Sequence, residues 1–221
     1  MNILEEERIK ITILGKSVGK TSLIYSFLGR RQIKEYDSST TSAPRFFEKC
    51  IIIGNKKYNI ELWDSASQEK YYSINKLFMK ATNIIILVYD ITSLETFEEL
   101  PFISQSFQDI ILEATIIGVI GNKKDLYFRK KVNEERAKEY ANKINAFFTL
   151  TSAKDDPFSF YSFIIDLLIE YIKKKGGVVN DNDINNLKMK YGKNSGFLKD
   201  KDIKKLKMKN RKNEIILKTI I

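Results

Sequence analysis

Short, nearly unbroken apolar runs alternate along this chain with longer stretches whose hydrophobic residues recur at helical spacing. Ile9–Leu14, Ile84–Tyr89 and Ile116–Ile120 are strand-length and almost wholly apolar, as expected of parallel strands covered on both faces. Phe46–Ile53 and Lys57–Trp63, joined by Gly54-Asn55-Lys56, read as an antiparallel hairpin at one edge. A short sixth strand starts near Ala146 and ends with Thr149 and Leu150. Between them the pattern predicts helices over Lys20–Leu28, Gln68–Lys80, Ser93–Gln108, Asn133–Ile144 and Pro157–Lys174. Pro157 suits a first helical turn, where its missing N–H costs nothing. Pro101, inside the third pattern, is expected to bend that helix or delay its start. The result is an α/β architecture, a six-stranded mostly parallel sheet with one antiparallel edge strand and flanking helices.

Gly176-Gly177 stops the pattern, and Asn- and Lys-rich sequence follows. The expected organisation is a folded domain over residues 1–175 and a basic extension over 176–221, disordered or partly helical. The extension holds 12 Lys/Arg against 5 Asp/Glu, most of the net charge of +10. Its basic run over 199–212 carries interspersed Ile203, Leu206 and Met208. A solvated tail and an amphipathic contact with an anionic membrane both fit. Nucleic acid is not expected as a partner, because no aromatic platform accompanies the charge.

Composition removes several chemistries. There is no histidine, so histidine catalysis and histidine metal ligands are out, and the single cysteine, Cys50, cannot form an intramolecular disulfide. No apolar run approaches the ~20 residues of a membrane span, and the acidic start MNILEEERIK has no signal-peptide design. A cytoplasmic protein, peripheral to a membrane at most, is the expectation. Asp181-Asn182-Asp183-Ile184-Asn185 imitates a calcium loop but lacks its required glycine and glutamate.

The chemistry begins directly after the first strand, at Gly15-Lys16-Ser17-Val18-Gly19-Lys20-Thr21-Ser22. Backbone N–H groups of such a loop, together with a helix N-terminus, make a concave anion site. Lys20 would reach the β- and γ-phosphates of a nucleotide and Thr21 would offer its hydroxyl to Mg²⁺. The usual signature has four residues between its glycines; here Lys16, Ser17 and Val18 alone separate Gly15 from Gly19. The loop is one residue short.

Gly121-Asn122-Lys123-Lys124-Asp125 closes the fifth strand. A carboxylate at Asp125 can accept from N1–H and the exocyclic amine of guanine, a donor pair that adenine lacks, and a polar site rejects an analogue that leaves its groups unpaired. Lys123 can lay its aliphatic stem over the base, and Asn122 can tie loops together. After the sixth strand, the Ala153 N–H can donate to the guanine carbonyl, braced by Ser152 and Lys154. Each motif alone has an ordinary structural reading. Their order, each at a strand's carboxyl end, points to one nucleotide site.

With these pieces in place the chain resembles the small GTPases of the Ras superfamily, its Rab branch in particular. The resemblance covers residues 8–175 and rests on KITILGKSVGKTSL, IELWDSASQEKY, ILVYDITSLETF, GNKKD and LTSAK, in order and at family spacing. It implies a P-loop G domain that binds GTP or GDP with Mg²⁺. It places switch I over Ile33–Phe47 and switch II over Asp64–Lys80, with Thr41 (or Thr40, in an alternative register) and Asp64 toward the metal. Gln68 would orient the attacking water as the catalytic side chain. Effectors, exchange factors and GTPase-activating proteins would be the partners, and vesicle transport the setting.

Four departures from the family pattern bear on activity. The phosphate loop is short; Ser67 stands where the family has the switch II glycine; the aromatic beside guanine has no clear counterpart beyond Ile33 or Tyr36; and the tail holds no cysteine for prenylation. Two functions follow. One is a GTP-binding switch with slow hydrolysis; the other is a degenerate GTPase serving as a scaffold without turnover.

Overall fold

The computed structural model describes residues 5–29, 45–65 and 79–194, with side chains through residue 189. Six strands form one sheet: β1 Glu5–Leu14, β2 Arg45–Ile53, β3 Lys56–Asp64, β4 Ile84–Asp90, β5 Ile116–Asn122 and β6 Phe147–Leu150. Their order is β2-β3-β1-β4-β5-β6. Only β2 runs antiparallel to its neighbour, through the Gly54-Asn55 turn; the other pairings are parallel. This is the expected mixed sheet with one antiparallel edge.

The helices are α1 Lys20–Phe27, α2 Leu94–Glu98, α3 Leu100–Gln105, α4 Glu134–Lys143, α5 Pro157–Lys174 and α6 Asp181–Asn194. Successive strand side chains point to opposite faces, so β4 divides itself between two cores. Ile84, Ile86 and Val88 join β1, α1 and α5 around Phe27, Phe160 and Leu168. Ile85, Leu87 and Tyr89 pack with Phe97, Leu100, Ile103 and Ala137 of α2, α3 and α4. Most of these side chains are fully buried, each contributing roughly 1.5–3 kcal/mol by leaving water.

The single helix expected over Ser93–Gln108 is two short ones divided at Glu99. Pro101 supplies the cause: lacking an N–H, it cannot donate to the carbonyl of Phe97, and the ring crowds the preceding turn. Elsewhere caps set the boundaries. Asn133 accepts hydrogen bonds from the N–H groups of Glu135 and Arg136 to start α4, and Asp156 accepts from Ser159 N with Pro157 at the first turn of α5. β1 begins at Glu5, four residues before its apolar run, because its polar half still pairs with β3 and with Lys56 and Lys57.

α6 returns along the domain after Gly176-Gly177. Ile184 and Leu187 pack against the first core, and Lys188 Nζ lies 2.5 Å from Asp166 Oδ1 of α5. The helix expected over Gln68–Lys80 lies outside the described residues except at its end, as does the basic run over 199–212. Among the described residues no helix is long and apolar enough to cross a membrane.

Candidate functional site

The carboxyl ends of β1, β3, β4, β5 and β6 converge, and the loops that leave them form one site. Gly15 follows β1 with φ +140°, and a Cβ there would come within 2.3 Å of the Val88 carbonyl oxygen. Only glycine permits that approach. Ser17 and Gly19 also have positive φ, 54° and 86°, so the short loop turns through three unusual residues. Val18 between them is fully buried in the first core and anchors the loop from below.

α1 starts at Lys20 with Gly19 as its N-cap and no side chain capping it. The N-terminal end of α1 therefore keeps the character of an anion site. Lys20 is almost wholly buried, and its Nζ donates to the Gly15 carbonyl at 2.5 Å. Beside it, Thr21 Oγ1 donates to Asp64 Oδ2 at 2.5 Å. Asp64 closes β3 and is fully buried, while its Oδ1 has no hydrogen-bond partner among the described residues. Burial pushes the Asp64 carboxyl above its ordinary value against the pull of Lys20 and Thr21. Burial pushes the Lys20 ammonium below its own, against Asp64.

A buried cation, a hydroxyl and a carboxylate with an unpartnered oxygen fit a phosphate bound with a hard divalent ion. Lys20 would hold the phosphate, and Thr21 and Asp64 would offer oxygen donors to the ion. Thr41 and Gln68, expected toward the metal and the attacking water, lie outside the described residues, as does Ser67. Ser22, in the first turn of α1, is exposed. Lys16 Nζ lies 3.5 Å from Glu99 Oε1.

Asn122 joins the loops expected to read the base to the loop expected to hold phosphate. Its Nδ2 donates to the Val18 carbonyl at 2.8 Å, and its Oδ1 accepts from Thr151 Oγ1 at 3.2 Å. The same Nδ2 lies 2.9 Å from where a Cβ on Gly19 would stand. Lys123 follows in a left-handed conformation, φ 67°, and swings the chain into a 3-10 turn over Lys124–Arg129. Ser152 Oγ donates to Asp125 Oδ1 at 2.6 Å and also accepts from Asp155 N. Lys124 N donates to the Thr151 carbonyl, so the two loops brace each other. Ala153 is partly buried against the first core and Lys154 is exposed.

Two contacts escape a reading by motif. Lys123 Nζ lies 2.6 Å from Asp90 Oδ2 at the end of β4, and Thr151 holds Asn122. Asp90-x-Thr92 is a local turn signal, and nothing in its spacing points to a lysine 33 positions away.

Sheet order and the glycine-bearing loop between β1 and α1 together define a P-loop domain of the G-protein type. Residues 10–164 match the Ras family. The chain is 36% identical over 146 residues to Ras-related protein RHN1 of Nicotiana plumbaginifolia, covering 66% of this chain and 72% of that one. Ras-related protein Rab5 of Nicotiana tabacum is 35% identical over the same length and coverage. GTP-binding protein Rheb of Homo sapiens is 34% identical over 149 residues, 66% of this chain and 79% of that one. The chain belongs to the Ras family of small GTP-binding proteins.

Proposed function

We propose that this protein is a Rab-like switch in vesicle transport that binds GTP and GDP with Mg²⁺ and hydrolyses GTP slowly. The observation that carries the reading is the cluster of buried Lys20, half-buried Thr21 and buried Asp64, with one carboxylate oxygen of Asp64 unpartnered among the described residues. Desolvating a lysine and an aspartate in one pocket is costly, and a charged ligand offsets that cost. Lys20 would hold phosphate charge, and Thr21 and Asp64 would hold a Mg²⁺ that supplies charge neutralisation when bound. Asp125, Ala153 and the stem of Lys123 read the guanine, while Asn122, Ser152 and Lys154 fix their loops. Gln68 orients water. Residues 1–175 form the G domain and 176–221 its basic extension, which touches anionic membrane.

The Rab branch is supported by Trp63-Asp64-Ser65-Ala66-Ser67-Gln68-Glu69 and Tyr89-Asp90-Ile91-Thr92, and by likeness to a relative named Rab5. Slow turnover follows from the short loop, which has one N–H fewer to place the γ-phosphate. The same feature favours the second reading, a nucleotide-bound scaffold without turnover.

One experiment separates the two. The purified protein is denatured, released nucleotide is identified by chromatography, and Mg²⁺-dependent GTP turnover is measured on the same preparation. Stoichiometric GDP with turnover that Gln68→Leu abolishes establishes the switch. Bound guanine nucleotide without turnover leaves the scaffold. A protein that neither carries nor takes up GDP or GTP defeats both.

A further inference from the structure

The ion pair between Asp90 and Lys123 does something for the site that no motif assigns. Asp90 ends β4 directly beside Asn122 of β5 in the strand register. Its side chain is only 9% exposed. Both donors of Thr92, N–H and Oγ1, converge on Oδ1 at 2.8 Å, which leaves Oδ2 to Lys123 Nζ at 2.6 Å. The backbone is tied as well, since Ile91 N donates to the Asn122 carbonyl at 3.1 Å. Burial works to raise the Asp90 carboxyl, but Lys123 and the two Thr92 donors hold it below its ordinary value.

A lysine stem is flexible, and ordering it against a ligand consumes rotamer entropy of up to ~2 kcal/mol. Fixing its two ends removes that cost from the binding step. Here one end is fixed by the left-handed backbone at Lys123 and the other by Asp90. The four methylenes between them are thereby confined between the Lys123 backbone and the Asp90 carboxylate.

We propose that Asp90 is a positioning residue, holding the Lys123 stem in place as a preformed wall for the guanine ring. This rests on the guanine site proposed above. The site's affinity for guanine nucleotide then depends on a carboxylate that need not touch the nucleotide.

The test is the dissociation rate of a fluorescent GDP analogue, measured on the full chain by stopped flow with excess unlabelled GDP. Asp90→Asn is expected to speed release by about tenfold, the size of a lost partly buried charge pair. Asp90→Glu keeps the charge and is expected to recover most of the loss. In a Lys123→Met background Asp90→Asn is expected to change release little, because the group it positions is gone. Should Asp90→Asn fail to fold, Thr92→Val takes its place, with release faster than wild type only while Lys123 is present. Equal release from wild type and Asp90→Asn, or the same acceleration in both backgrounds, overturns the positioning role alone. Wild-type protein that binds no guanine nucleotide overturns the guanine site and this inference with it.

Discussion

Asn122 and Val18 stand 104 positions apart and are joined by one hydrogen bond, 2.8 Å from Asn122 Nδ2 to the Val18 carbonyl. That bond couples the loop expected to hold phosphate to the loop expected to read the base. Asn122→Ala would leave a buried carbonyl and the Thr151 hydroxyl without their present partner. The expected cost is roughly 1–3 kcal/mol of stability, read by denaturant unfolding of nucleotide-free protein. GDP affinity would fall as well, because the two loops lose the bond that holds them together.

Thr21 and Asp64 are expected to act as one unit toward Mg²⁺. Thr21→Val preserves shape and removes the hydroxyl that meets Asp64 Oδ2. Metal affinity should drop, because the site loses one of its oxygen donors. Chelation of Mg²⁺ would then accelerate GDP release strongly in the wild type and weakly in the variant. Equal responses would detach these residues from the metal.

Asp125 should decide the base. Its carboxylate presents two acceptors to the N1–H and amino group of guanine, so Asp125→Asn ought to weaken GDP binding by roughly 10³-fold or more. The asparagine amide offers one donor and one acceptor, which suits xanthine, where a carbonyl replaces the amine. Competition between GDP and xanthosine diphosphate measures the inversion. Ser152, which donates to Asp125 Oδ1, can keep its bond in the variant.

A pH effect is expected far from the nucleotide. Lys49 on β2 lies over the rings of Phe27 and Tyr161 and donates to the Phe27 carbonyl. Burial lowers its ammonium to about 8, against about 10.4 in an unfolded chain. The folded state therefore binds this proton less tightly than the unfolded state. Stability should be lowest below pH 8, rise as pH climbs from about 8 to about 10.4, and level off above. Lys49→Met removes that segment of the slope, and unfolding free energies at pH 7, 9 and 10.5 for both proteins test it.

Much of this was legible before any coordinates. Continuous apolar runs such as Ile84–Tyr89 announced strands buried on both faces, and Pro157 marked the start of α5 to the residue. What the sequence concealed has specific causes. β1 extends to Glu5 because its polar end is stabilised by cross-strand pairing, which hydropathy does not register. The break at Glu99 depends on one missing N–H, and Pro101 signalled it without fixing its position. α6 lies in a stretch whose Asn and Lys content masks Ile184 and Leu187, two apolar side chains that find a core only after the domain exists. Around the candidate site, Gly15 and Gly19 were readable because local backbone demands select them. Asp90 was not, since its partnership with Lys123 arises from two neighbouring strands distant in sequence. Thr41 and Gln68 lie outside the described residues, so their places rest on the resemblance.

The division of the core by the sheet carries one more consequence. Val18 beneath the phosphate loop belongs to one half of the interior, and Tyr89 and Ile91 flanking Asp90 belong to the other. A ligand seated across both loops would clasp the two halves at the rim where they meet. Binding only to the native form adds stability by mass action, about 4 kcal/mol when free ligand exceeds the dissociation constant a thousandfold. The nucleotide would then be a structural member as well as a signal. Each exchange event would open an interval in which the emptied chain is most exposed to unfolding and proteolysis, so its lifetime would follow the guanine nucleotide supply of the cell.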